Sequence, residues 1–289
     1  MKTIGLDIGG SHISGAELII SDRDFQVGPI TEKVMDTSRT KEDLILDWAS
    51  LVRSINSSDS DIRLGIAMPG PFDYENGISL IKEQGKMKSL YGLSIKLMLA
   101  EELEIPIRNI HFVNDAEAFL LGEKYAGELK GFDKIMGITL GTGLGSAIGI
   151  ENVVKDAKLW SSPFKDGIAE DYLGNAWFVK EAQRRFGTQV SGVRDILSWT
   201  DQSRIQNIFT DLANTLSEFL LPYLIRIQAE GLVLGGKISL AHEYFLPRLL
   251  ENLKKFDCQT EIKISKLGEK AALIGAILPC LSQFNNEEN

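Results

Sequence analysis

Asp7 sits in the otherwise apolar run Ile4-Gly5-Leu6-Asp7-Ile8 and is followed at once by Gly9-Gly10-Ser11-His12. A carboxylate in such a strand is costly unless something pairs with it. A Mg2+ ion held beside a phosphate, directly or through water, would supply that partner. Capping the backbone N–H groups of its own turn would supply one too. Glycines leave backbone N–H groups open to approach, and successive N–H groups form an anion-binding concavity. The device recurs at Gly141-Thr142-Gly143-Leu144-Gly145. Neither turn is a Walker loop, and neither has the strand and helix context of a dinucleotide fingerprint. Each turn alone reads as a tight hairpin turn. The two together with Asp7 point to a polyphosphate gripped from both sides.

Asn114-Asp115 follows the strand-like Ile110-His111-Phe112-Val113. Open α/β sheets bind ligands at the C-terminal ends of their strands. Asp115 is therefore placed to accept a proton from a bound hydroxyl, and Asn114 to hold a neighbouring hydroxyl. The same pair would also cap the helix that begins at Ala116. Glu170-Asp171 stands at another helix start, where carboxylates complement the dipole. The three histidines, His12, His111 and His242, have no partners at metal-ligand spacing. Cys258 and Cys280 cannot make a disulfide framework or a cysteine-rich zinc site.

Elements that could position these residues are legible. Lys2–Leu6 and Ile13–Ile20 read as a hairpin, and Gln26–Met35 as a third strand. Asp22-Arg23-Asp24 is a turn signal, and 57–60 is a polar break. Leu44, Ile45, Trp48, Leu51, Val52 and Ile55 form one helical face, with Thr40 in the N-cap region. Leu64–Met68 is a buried strand entering the Pro69-Gly70-Pro71 loop. Helices are expected over Ser94–Leu103, Ala116–Leu129, Asp171–Phe186, Ile205–Gln228 and Ala271–Leu281. Strands are expected at Ile110–Val113, Lys134–Leu140, Ser146–Ile150 and Glu261–Ser265, Gly231–Gly236 reads as a strand then a tight turn, and the tail at 285–289 as frayed. Gly5-Leu6-Asp7-Ile8-Gly9-Gly10 and Gly137-Ile138-Thr139-Leu140-Gly141-Thr142 echo one another, suggesting two similar halves.

Composition bounds the function. At about 150 residues per domain, 289 residues suggest two domains. The chain is 44% hydrophobic and 25% charged, ordinary for a soluble globular protein. Its 31 basic and 40 acidic residues leave a net charge of −9, a poor match for nucleic acid or an anionic membrane. The N-terminus has no secretory apolar region, and no apolar run is long enough to span a bilayer. The cytoplasm is the expected compartment.

In order along the chain, these segments resemble the sugar kinases of the ROK family, within the actin-like ATPase fold group. Leu6 to Ile13 resembles the first phosphate motif, with Ser11 and His12 where the family more often has Thr and Lys. Ala67 to Asp73 with Gly77-Ile78 resembles the sugar-side loop, and Val113 to Ala118 with Gly122-Glu123 the catalytic segment. Gly137 to Gly145 resembles the second phosphate motif, Leu234 to Ser239 the adenosine-side turn, and Leu267 to Ala271 with Gly275-Ala276 the closing helix.

The resemblance implies an α/β fold of two ribonuclease-H-like domains around a central cleft: 1–116 plus 272–289, and 117–271. It implies an ATP-dependent kinase acting on a glucose-like hexose, with Asp115 as general base and Mg2+ on Asp7, through water. Gly9, Gly10, Ser11, His12, Gly141, Thr142 and Gly143 would hold the phosphates, and Gly235 and Gly236 the adenosine. Gly70, Asn114, Asp115 and Glu170 would meet the sugar. The family usually carries a Glu-x-Gly-His stretch and a Cys-rich zinc motif. Trp160–Tyr172 has neither His nor Cys, so no zinc is expected. Family members are often dimers, so a homodimer is an expectation. The family also contains repressors with an N-terminal helix-turn-helix domain, and starting directly at the first strand favours an enzyme. A non-catalytic sugar or nucleotide regulator, or a kinase for an N-acetylated amino sugar, are the alternatives.

Overall fold

The computed structural model describes residues 1–21, 24–56, 61–82 and 87–284. The turn signal at Asp22-Arg23, the break at 57–60 and the tail at 285–289 lie outside the described residues. The chain forms two units: Met1–Gly127 with the segment from Glu269 onward, and Glu128–Gly268.

The first unit contains β1 (Lys2–Ile8), β2 (His12–Ser21), β3 (Asp24–Val27), β4 (Thr31–Val34), α1 (Lys41–Ile55) and β5 (Ile62–Met68). The hairpin β6 (Phe72–Asp73) and β7 (Ile78–Ser79), α2 (Ile95–Leu103), β8 (Ile110–Asn114) and α3 (Asp115–Tyr125) follow. Its sheet runs β3-β2-β1-β5-β8, with β4 also on β2. β1 is antiparallel to β2 and parallel to β5, and β5 is parallel to β8. The single strand expected over Gln26–Met35 is two strands. Between them the Gly28 N–H donates to the Glu17 carbonyl, and β3 and β4 pair with separate stretches of β2. α1 buries the expected face around Trp48, and Thr40 Oγ1 accepts the Asp43 N–H at 3.2 Å.

The second unit contains β9 (Lys134–Leu140), β10 (Leu144–Ile150), β11 (Val153–Asp156), and the short hairpin β12 (Pro163–Phe164) and β13 (Gly167–Ile168). Then come α4 (Glu170–Leu173), α5 (Asn175–Phe186), α6 (Val193–Leu197), α7 (Gln202–Ile227), β14 (Gly231–Gly235), α8 (His242–Lys254) and β15 (Glu261–Ile264). Its sheet, β11-β10-β9-β14-β15, repeats the strand directions of the first. The echo between Gly5 and Gly137 therefore marks equivalent strands, β1 and β9. The one helix expected over Asp171–Phe186 is two, broken at Gly174, whose backbone is extended.

The chain ends in α9 (Glu269–Phe284), which returns to the first unit. Gly5 and Gly65 are register partners on β1 and β5. A Cβ on either would collide with the α9 backbone, at the Leu273 and Ala276 carbonyls respectively. The contact with α3 is as close: a Cβ on Gly122 would strike the Ala271 carbonyl, and one on Gly275 the Ala118 carbonyl. Ala118 and Gly122, like Ala271 and Gly275, are four residues apart, so each pair forms one small-residue stripe on its helix face. This packing keeps all of α3 and the first turn of α9 in the first unit.

Replacing a helical glycine by alanine ordinarily stabilises a helix by about 1 kcal/mol. At Gly275 the expected sign is reversed. Gly275→Ala should destabilise by roughly 1–3 kcal/mol through overpacking against α3, read from the urea midpoint at unchanged m-value.

Candidate functional site

In the first unit, side chains alternate across β1, so Asp7 shares the face of Gly5, the face α9 covers. Little of Asp7 reaches solvent, and protein packs closely round its carboxyl. Burial pushes its pKa up to about 7, and the carboxylates of Asp115 and Glu269 add to the rise. Asp115 is the first residue of α3 and Glu269 the first of α9. Asp7 thus feels two further acids, each at the start of a different helix. Sequence reasoning placed Glu269 in a motif but gave it no role, because only the fold brings it to Asp7.

The first turn is tighter than expected, since Asp7, Ile8 and His12 belong to strands. Gly9 N–H donates to the His12 carbonyl at 2.9 Å, and Met35 N–H to the Ser11 carbonyl at 2.8 Å. Ser11 Oγ lies 2.8 Å from His12 Nδ1, and His12 Nε2 lies 3.9 Å from Glu32. At the end of β8, Asn114 Oδ1 accepts the N–H groups of Ala116 (2.9 Å) and Glu117 (3.1 Å), so Asn114 is the α3 cap. Its Nδ2 donates to the Tyr74 hydroxyl at 3.0 Å. Asp115 Oδ1 also accepts the Ala116 N–H, at 2.9 Å, and the residue is exposed. Gly70 lies beside Tyr74, whose hydroxyl would be 3.3 Å from a Cβ placed on it.

The second unit builds the other turn. Gly141 N–H donates to the Gly143 carbonyl at 3.1 Å, and Thr142 is exposed. Glu170 Oε2 accepts the Leu144 N–H at 2.9 Å and packs so closely on Gly143 that a Cβ there would displace it. The break between α4 and α5 has a reason here: Asn175 N–H donates to the Gly141 carbonyl at 2.9 Å. An unbroken helix would spend that donor internally. Glu170, read from sequence as a sugar ligand, thus has one carboxylate oxygen committed to bracing the turn. Gly236, after β14, has φ +83°, and a Cβ on it would meet the Leu140 backbone at the end of β9. Ile238 N–H donates to the Leu140 carbonyl at 3.0 Å. Gly235, Gly236, Gly141, Thr142 and Gly143 are thereby grouped at one end of one sheet.

Among the described residues, no three His, Cys, Asp or Glu side chains are arranged as a metal-ion site, and no helix is long and apolar enough to cross a membrane.

Residues 3–156 match the ROK family. The chain belongs to the ROK family. It is 33% identical to the glucokinase of Thermotoga maritima over 151 residues, 51% of this chain and 44% of that protein. It is 23% identical to the xylose repressor of Caldicellulosiruptor bescii over 325 aligned positions, 97% of this chain and 78% of that protein. The chain spans about half the length of several curated ROK relatives it matches, the sugar kinases among them. The crystal structure of a ROK glucokinase from Streptomyces griseus in complex with glucose and AMPPNP superposes with a TM-score of 0.77 at 20% identity. That likeness covers 96% of this chain and 98% of the other. The ROK fold, α/β with two ribonuclease-H-like units of the actin-like ATPase group, is thus the fold of this chain.

Two expectations follow for this ROK chain. Asp7 titrates higher when folded than when unfolded, so its protonated form favours the native state. That contribution is present below about pH 4 and is lost as pH rises through about 7. The stability difference between Asp7→Asn and the parent should therefore grow in favour of Asn between pH 5 and 8 in metal-free buffer, by up to about 1.4 kcal/mol per pH unit. In the second unit, Glu170→Ala should speed hydrogen exchange at the Leu144 amide, whereas Glu170→Gln, which keeps an acceptor, should restore protection.

Proposed function

We propose that the chain is an ATP-dependent sugar kinase acting on a glucose-like hexose. The observation that carries this reading is the exposed Asp115 carboxylate, at the C-terminal end of a parallel strand and within electrostatic reach of Asp7. The glycine turn that follows Asp7 has its counterpart at the matching position of the second sheet. The ROK relatives named as glucokinases support the same assignment.

In this reading the sugar lies against Gly70, Asn114 and Asp115. Asp115 takes the proton of the attacking hydroxyl as the γ-phosphoryl group transfers in line. Backbone N–H groups of the turns at Gly9–His12 and Gly141–Gly143 bind the phosphates, and Gly235-Gly236 receive the adenosine. Phosphoryl transfer depends on positioning and charge stabilisation, which a side-chain-free turn can supply. The hard oxygen and uncompensated negative charge of Asp7 fit Mg2+. Asp7 would hold it through water, as the family resemblance implies. Mg2+, when bound, neutralises charge developing on the phosphates. Glu170 sets the shape of the second turn and presents its remaining carboxylate oxygen to the sugar.

A second reading, a sugar-binding regulator without turnover, is favoured by the similarity to the xylose repressor along 97% of the chain. ADP release with MgATP over a panel of hexoses and N-acetylated hexosamines separates the two. Sugar-stimulated turnover is expected, and Asp115→Asn should lower it by roughly 10²–10⁴-fold. Saturable sugar binding without ADP release would establish the regulator instead.

A further inference from the structure

We infer that Tyr74 is a positioning residue of the sugar half-site, fixing the Asn114 carboxamide through its phenol hydroxyl; this rests on the sugar-binding role given to Asn114 above. Met68 and Asn114 are register partners at the C-terminal ends of the neighbouring parallel strands β5 and β8. One hydroxyl joins them. Tyr74 donates to the Met68 carbonyl at 3.1 Å and accepts from Asn114 Nδ2 at 3.0 Å.

The consequence lies in the amide inventory. Asn114 Oδ1 is committed to the first two N–H groups of α3 after Asp115. The cap thus fixes the oxygen end of the carboxamide, and Tyr74 fixes the nitrogen end. A carboxamide nitrogen carries two hydrogens. Tyr74 takes one, and the other is left to donate in a set direction to a hydroxyl on a bound sugar. The tyrosine is itself held: its ring packs on Phe72 at 5.2 Å between centroids, and Phe72 packs on Phe112 of β8 at 5.0 Å. The absence of a side chain at Gly70 leaves room for the hydroxyl. In this role Tyr74 acts through Asn114, on the sugar and not on the transferring phosphate. Its effect should therefore fall on sugar binding more than on the chemical step.

The test is a double-mutant cycle of Tyr74→Phe and Asn114→Ser. Phe keeps the ring packing, and Ser keeps a capping oxygen. Binding of glucose and N-acetylglucosamine is measured by calorimetry, with KM and kcat for any sugar that is turned over. Tyr74→Phe should weaken binding of the accepted sugar about three- to tenfold, the loss of one hydrogen-bonded brace, with kcat within about twofold and thermal unfolding near that of the parent. In the Asn114→Ser background the same change should cost less than about twofold. An equal loss in both backgrounds would show that Tyr74 acts independently of Asn114 and would overturn the inference. Unchanged binding by Tyr74→Phe would also overturn it. A parent protein that binds and phosphorylates no sugar would overturn the kinase reading and this inference together, whereas parental turnover with an additive cycle would overturn the inference alone.

Discussion

The close approach of α9 to β1, β5 and α3 is the constraint on which the first unit depends. Four positions on its partners and on the helix itself, Gly5, Gly65, Gly122 and Gly275, have no space for a Cβ because another backbone occupies it. Two consequences follow from backbone-to-backbone packing at this range. The last helix packs on the face of a sheet formed from the first strands, so the unit cannot be completed until the C-terminal segment has been added. The same packing runs α9 antiparallel to α3, and both Asp115 and Glu269 act electrostatically on Asp7. Larger residues at those glycines would move the helix away from the sheet and from α3.

That gathering of charge has a direction. A single carboxylate at a helix N-terminus is favourable. Burial of Asp7, with Asp115 and Glu269 adding their negative charge, leaves it with a proton affinity near neutrality. A proton held at Asp7 relieves that repulsion.

The two glycine turns are copies in topology but are braced differently. The first is held by main-chain bonds, Gly9 to His12 and Met35 to Ser11. The second is held from outside its hairpin, by the Glu170 carboxylate and the N–H of Asn175. The hairpin β12–β13 and the break at Gly174 deliver these braces, in a segment with neither His nor Cys. The short Trp160–Tyr172 stretch therefore supports the second glycine turn through Glu170.

Much was legible in the residues alone. Glycine turns after β1 and β9, the Thr40 cap, the apolar face of α1 and the acid at the end of β8 are local, because propensity, capping and backbone freedom act within a few residues. The duplicated halves were visible as an echo between Gly5 and Gly137, since equivalent turns need equivalent glycines. Other features required the fold. The strand over Gln26–Met35 split because β2 offers two separate stretches for pairing, and the helix over Asp171–Phe186 broke because its Asn175 N–H is claimed by Gly141, 34 residues back in the chain. Glu269 joined Asp7, and Tyr74 joined Met68 to Asn114, across separations that no local pattern encodes. The residue types and their spacing determined which groups could do chemistry. Only the tertiary structure decided which of them share a charge or a hydrogen bond, because both act through space rather than along the chain.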